Sequence, residues 1–63
     1  MRPFGAFLHD LRLKNKLTLR KAGEELGISY IYISEIENGK KIPSKKIIKL
    51  FSRYYSVPYI EFV

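Results

Sequence analysis

No cysteine occurs anywhere in this 63-residue chain. No disulfide can staple it, and no thiolate can hold a metal. Its one histidine, His9, cannot build a metal site alone. A chain this short lies near the lower limit for independent folding, so its stability must come from a single apolar core. Hydrophobic residues make up 46% of the sequence, enough for one such core and too many for a disordered segment. No repeat, linker or low-complexity stretch divides the chain, and residues 1–63 read as one domain.

The spacing of the apolar residues sets the fold class as all-α. Phe4, Phe7, Leu8 and Leu11 recur three and four apart, the period of an amphipathic helix. Pro3 suits the first turn of that helix, which is predicted to run to about Lys16 with Lys14 and Lys16 at its cation-favouring end. Thr18 is an N-cap for a second helix, Leu19 to Leu26, and Gly27 supplies the left-handed residue that stops it. Gly23 lies inside this helix at a cost of ~1 kcal/mol relative to alanine, which points to another backbone approaching closely. Ser44 caps a fourth helix with Ile47, Ile48, Phe51 and Tyr55 on its apolar side, ending near Tyr55 ahead of Pro58. A short fifth helix is predicted within Pro58 to Val63.

The third segment is ambiguous on local grounds. Ile28 to Ser34 is rich in β-branched and aromatic residues, and Asn38-Gly39 is a hairpin dipeptide, so a strand is a serious rival. Against it, the return strand would hold only Lys40, Lys41 and Ile42 before Pro43. Ile33 and Ile36 also share one helical face. The preferred reading is a helix from Tyr30 to about Asn38, capped by Ser29.

Twelve Lys and Arg against six Asp and Glu give a net charge of +6, which favours a polyanionic partner, nucleic acid before an acidic membrane surface. The longest uncharged stretch, Leu26 to Ser34, is far short of the ~20 residues of a membrane helix. The N-terminus lacks an apolar signal region with a cleavage site, which favours an intracellular, cytoplasmic protein. Catalysis finds no support: Glu24 and Glu25 are adjacent and Glu35 and Glu37 two apart, so neither pair converges on one helix face. No nucleophile elbow or phosphate loop is present, and neither an enzyme activity nor a cofactor nor a metal is expected.

Two short helices joined by a glycine-containing turn, about residues 18–38, form a helix-turn-helix pattern. The stretch from Leu17 to Ser29, LTLRKAGEELGIS, resembles the first half of that motif in the Cro/C1-type (XRE) family of DNA-binding regulators. Tyr32 to Ser44, YISEIENGKKIPS, resembles the second half and the loop after it. Leu8, Leu11 and Arg12 match the family's first helix; Ile48, Phe51, Tyr55 and Val57 match the fourth helix and its following turn. The resemblance covers nearly the whole chain. It implies a lambda-repressor-like, compact bundle of five short helices with the third in the DNA major groove, bacterial or phage-encoded and commonly a dimeric repressor. Three positions depart from the family pattern. Leu19 stands where many members have a phosphate-contacting Gln, Gly23 where Ala is usual, and the acidic Glu35 where a base-reaching residue is common.

With Ile33 and Ile36 inward, Ile31, Ser34, Glu35 and Asn38 face outward, with Tyr30 at the helix entrance. Tyr30, Ile31, Ser34 and Glu35 are the candidate base readers. Tyr30 can bond a base or a phosphate, Ile31 can pack on a thymine methyl, and Glu35 can accept from cytosine N4 or be a solvated helix charge. Candidate backbone contacts are Thr18, Arg20 and Lys21 at the start of helix two, Tyr32 beside the groove or packed on helix two, and Asn38, Lys40 and Lys41 in the loop. Lys45, Lys46, Lys49 and Arg53 are weaker candidates on helix four. Arg12 and Glu37 lie at the edges of apolar faces, where a pair satisfies both charges, and the family resemblance implies the same structural ion pair.

The expected function is sequence-specific double-stranded DNA binding by a transcriptional regulator, repression being the commoner role in the family. The alternatives are a helix-turn-helix scaffold used as a protein-interaction or membrane-surface module, and a nonspecific basic nucleic-acid binder. A second apolar row on helix four, Ile47, Leu50 and Tyr54, joins Tyr59, Ile60, Phe62 and Val63 as the candidate homodimer surface.

Overall fold

Ser and Thr caps set the helix boundaries. The structure, a computed structural model, describes residues 4–62. Its helices are α1 (Phe4–Lys14), α2 (Leu19–Leu26), α3 (Tyr30–Glu37) and α4 (Lys45–Tyr55), followed by a 3-10 helix at Tyr59–Phe62. The hydroxyl oxygens of Thr18, Ser29 and Ser44 accept from the backbone N–H of Lys21, Ile31 and Ile47 at 3.0, 3.2 and 3.3 Å. Each satisfies an N–H that the first helical turn leaves without a partner.

Two boundaries differ from the sequence reading. The first helix stops at Lys14, because Lys16 adopts a left-handed conformation (φ 59°) that returns the chain toward the core at Leu17. Asn15 closes the helix end on one carbonyl: its backbone N–H and its side-chain Nδ2 both donate to Leu11 O, at 3.1 and 2.7 Å. The expected fifth helix is one 3-10 turn: the Glu61 N–H bonds to Pro58 O three residues back at 2.9 Å, and four residues do not extend to an α-helix. Pro3 and Val63 lie outside the described residues.

The strand alternative for Ile28 to Ser34 is resolved in favour of helix. Ile33 and Ile36 are each 1% exposed, three apart on the same face, and no strand could bury both beside the same neighbours. Tertiary burial thus overrides the β-propensity of the segment. Gly39 (φ 77°) then turns the chain off α3. Gly27 (φ 73°) does the same for α2.

Leu8, Ala22, Leu26, Ile33, Ile36, Phe51 and Phe62 make the core, so every helix contributes to it. Burying a side chain such as Leu8, Ile33 or Phe51 contributes about 1.5–3 kcal/mol each. Helix α3 packs on both α1 and α2, and α4 lies against α2 and the terminal turn. Phe62 closes the bundle, its ring 5.7 Å from that of Phe4 and 5.1 Å from that of Phe7. This alters the expected dimer surface: Phe62 is core, while Ile47, Leu50 and Tyr54 are half-buried against it. Of the described terminal residues only Ile60, at 73%, is a largely exposed hydrophobic.

Candidate nucleic-acid interface

Two glycines let α3 sit close to its neighbours. A Cβ on Gly23 would lie 2.8 Å from the carbonyl oxygen of Ile28, in the turn leading into α3. This is the close approach that the cost of a mid-helix glycine implies. A Cβ on Gly5 would lie 2.5 Å from the carbonyl oxygens of both Ile36 and Glu37, so α1 approaches the C-terminal end of α3 backbone to backbone. Gly5 sits in an unremarkable Phe-Gly-Ala run, and only the helix crossing gives it a role.

A buried polar cluster fixes the same end of α3. Arg12 Nε donates to Glu37 Oε2 at 2.7 Å and Nη2 to Oε1 at 3.0 Å, a bidentate pair with side chains 8% and 5% exposed. Arg12 Nη1 donates to Leu17 O at 2.8 Å, which ties in the chain entering α2. His9, one turn before Arg12, adds a contact absent from the sequence reading: its Nδ1 lies 2.7 Å from Glu37 Oε1 and donates to it. Hydrogen bonding to Glu37 raises the Arg12 pKa, outweighing the opposing effect of burial. Tyr55 borders this cluster. Burial first, then the charges of Tyr54 and Glu37, push its phenol up to about 12, against a lowering by Arg12.

The opposite side of α3 is open. Ile31 is 57% exposed, and Tyr30, Ser34 and Glu35 are half-buried along the helix. Tyr32 is half-buried and packs against the core. Asn38 turns back on the helix, its Nδ2 donating to Ser34 O at 2.9 Å, so its amide is partly committed within the protein. The backbone N–H groups of Lys40 and Lys41 both donate to Glu35 O, at 2.8 and 3.3 Å. The two loop lysines are thereby tied to the end of α3, with exposed side chains.

At the start of α2, Thr18, Arg20 and Lys21 are exposed. The Lys21 ammonium is 3.9 Å from Glu24 and 4.0 Å from Glu25, loose surface contacts of little energetic weight. Arg20 reaches across to α3. Its Nη2 donates to the Tyr30 hydroxyl oxygen at 3.1 Å, and its guanidinium lies 4.5 Å from the ring centre. No spacing rule joins these two residues along the sequence. Lys45, Lys46, Lys49 and Arg53 are exposed along α4. Among the described residues, no three His, Asp or Glu side chains gather as a metal site, and no helix is long and apolar enough to cross a membrane.

An all-helical bundle with a capped α2–turn–α3 unit and an open α3 face defines a helix-turn-helix protein, and a helix-turn-helix family model matches residues 8–62. The chain belongs to this family, that of the Cro/C1-type (XRE) transcriptional regulators. It is 43% identical over 60 residues to the uncharacterized HTH-type transcriptional regulator RghRB of Bacillus subtilis (strain 168), covering 94% of this chain and 43% of that protein. It is 38% identical over 60 residues to the HTH-type transcriptional repressor RghR of the same organism, covering 94% and 44%. Over 44 residues it is 39% identical to the ImmF control region 10 kDa protein of Bacillus phage phi105, covering 70% and 49%. The chain therefore spans less than half the length of these three relatives. No solved structure matches the chain significantly.

Proposed function

We propose that residues 1–63 act as a single domain that binds double-stranded DNA sequence-specifically and regulates transcription, as a repressor. The observation that carries this reading is the two-sidedness of α3. Its inner residues Ile33 and Ile36 are fully buried, while Tyr30, Ile31, Ser34 and Glu35 lie on the side left open. That open side is bracketed by Arg20 and Lys21 before it and Lys40 and Lys41 after it. A helix of eight residues with a rigid buried side and cations at both ends suits a major groove flanked by phosphates. The net charge of +6 supplies the attraction. The name of one relative, a transcriptional repressor, supports the regulatory direction.

In this reading Tyr30, Ile31, Ser34 and Glu35 face base edges. Thr18, Arg20, Lys21, Tyr32, Asn38, Lys40 and Lys41 face the sugar-phosphate backbone. The Thr18 oxygen already accepts from Lys21 N, which leaves its O–H to donate to a phosphate. The protein works in the bacterial cytoplasm, without catalysis and without a cofactor. Two copies bind a two-fold operator, paired through α4 and the terminal turn, where Ile60 is the most exposed apolar group. Selection of bound sequences from a random duplex pool tests the reading. Recovery of one palindromic motif with salt-sensitive binding is expected. Absence of sequence preference would refute specific recognition, and absence of any binding would favour a protein-interaction scaffold.

A further inference from the structure

We propose that Arg20 is a specificity-determining residue that acts through Tyr30, setting which bases this tyrosine accepts. The inference rests on the DNA-binding reading above and adds the hydrogen-bond polarity of one contact. Arg20 Nη2 donates to the phenol oxygen at 3.1 Å while the guanidinium lies 4.5 Å from the ring centre. Two interactions on one residue hold the ring at the entrance of α3. They also occupy the oxygen as an acceptor, and the phenol keeps its own O–H to give away.

The consequence is chemical. In the major groove guanine offers N7 and O6, adenine N7 and thymine O4 as acceptors, whereas cytosine offers only its N4 donor. A free tyrosine can meet either kind of group. A tyrosine already accepting from Arg20 meets acceptors and discriminates against cytosine. The short turn before α3 reinforces this, because Gly23 lets Ile28 and Tyr30 approach α2 closely enough for Arg20 to span the gap. Arg20 is exposed and lies outside the core, so its replacement leaves the bundle intact.

The test is bound-sequence selection with the wild type, Y30F, R20A, R20K and the R20A/Y30F double variant, each checked for helical content by circular dichroism. Y30F locates the base position by losing preference there. Cytosine discrimination at that same position is expected to fall about 2- to 5-fold in R20A and R20K, the weight of one exposed cation–aromatic contact. The double variant is expected to match Y30F at that position. R20K keeps the charge, so its salt dependence should remain that of the wild type while its preference relaxes. Retention of the wild-type preference in both R20A and R20K would overturn the proposal and reduce Arg20 to a phosphate contact. So would effects of R20A and Y30F that simply add, or a Y30F protein with unaltered preference. A wild type with no preference at any position would overturn the DNA-reading function itself, and this inference with it.

Discussion

Arg12 on α1 and Glu37, the last residue of α3, form a bidentate ion pair at 2.7 and 3.0 Å in which neither side chain is more than 8% exposed. The pair links the first helix to the C-terminal end of the helix proposed to read DNA. It does not stand alone: Leu17 O takes a third Arg12 hydrogen, and His9 adds a second donor to Glu37. Among the described residues no buried side-chain polar atom in the molecule lacks a partner. Such a cluster aims α3 by geometry, because shifting the helix breaks several charged hydrogen bonds together.

Breaking this pair from one side should therefore be severe. Arg12→Met strands the Glu37 charge and the Leu17 carbonyl, and a loss of about 3–5 kcal/mol is expected. That approaches the whole stability of a domain this small. Glu37→Gln keeps the shape and should cost less. Urea denaturation of the two single variants and the double variant forms a cycle, and a coupling energy near zero would show that the two residues do not act as a pair.

Gly5→Ala should destabilise more than Gly23→Ala. Either substitution gains ~1 kcal/mol of helix propensity. At Gly5 the new methyl meets two backbone carbonyl oxygens at 2.5 Å, and neither can swing aside. At Gly23 the nearest atoms, Ile28 O at 2.8 Å and Tyr30 N at 3.1 Å, are also backbone but stand further off. A net loss of about 1–3 kcal/mol is expected for Gly5→Ala, with a smaller loss for Gly23→Ala. Thermal melting of both variants checks the order, and equal midpoints would contradict the backbone contact between α1 and α3.

Lys40→Ala with Lys41→Ala should weaken binding to every duplex by a similar factor. Phosphate contacts carry no base information, so the slope of log K against log salt should shallow by up to ~2 units while the preferred motif stays the same. Titrations at several salt concentrations measure this. An unchanged slope would place the loop away from the DNA.

Tyr55 should ionise well above the ordinary range of a phenol. Its phenol is pushed up to about 12 from an ordinary 10, chiefly by burial. The folded state therefore holds this proton more tightly than the unfolded chain. The resulting stability is fully present below pH ~10 and is lost as pH rises through the folded value. Ultraviolet titration of the phenolates should show a late phase that Tyr55→Phe removes. Persistence of that phase in the variant would assign it elsewhere.

The sequence by itself determined what depends on near neighbours. Apolar spacing defined the helices, Thr18, Ser29 and Ser44 set their starts, and Gly27 ended α2 through its own backbone freedom. The cations near α3 were likewise legible, since loops and helix ends around a helix-turn-helix lie within a few residues of one another. The choice between helix and strand for Ile28 to Ser34 was not local, because burial of Ile33 and Ile36 outweighs β-propensity only once α1 and α2 pack against them. The tertiary structure alone decided that Gly5 meets the end of α3, that His9 joins the Arg12–Glu37 pair, and that Phe62 enters the core. It alone laid Arg20 on Tyr30. The physical reason is that these contacts join residues far apart along the chain or on different helices, and their distances follow from helix crossings and not from periodicity.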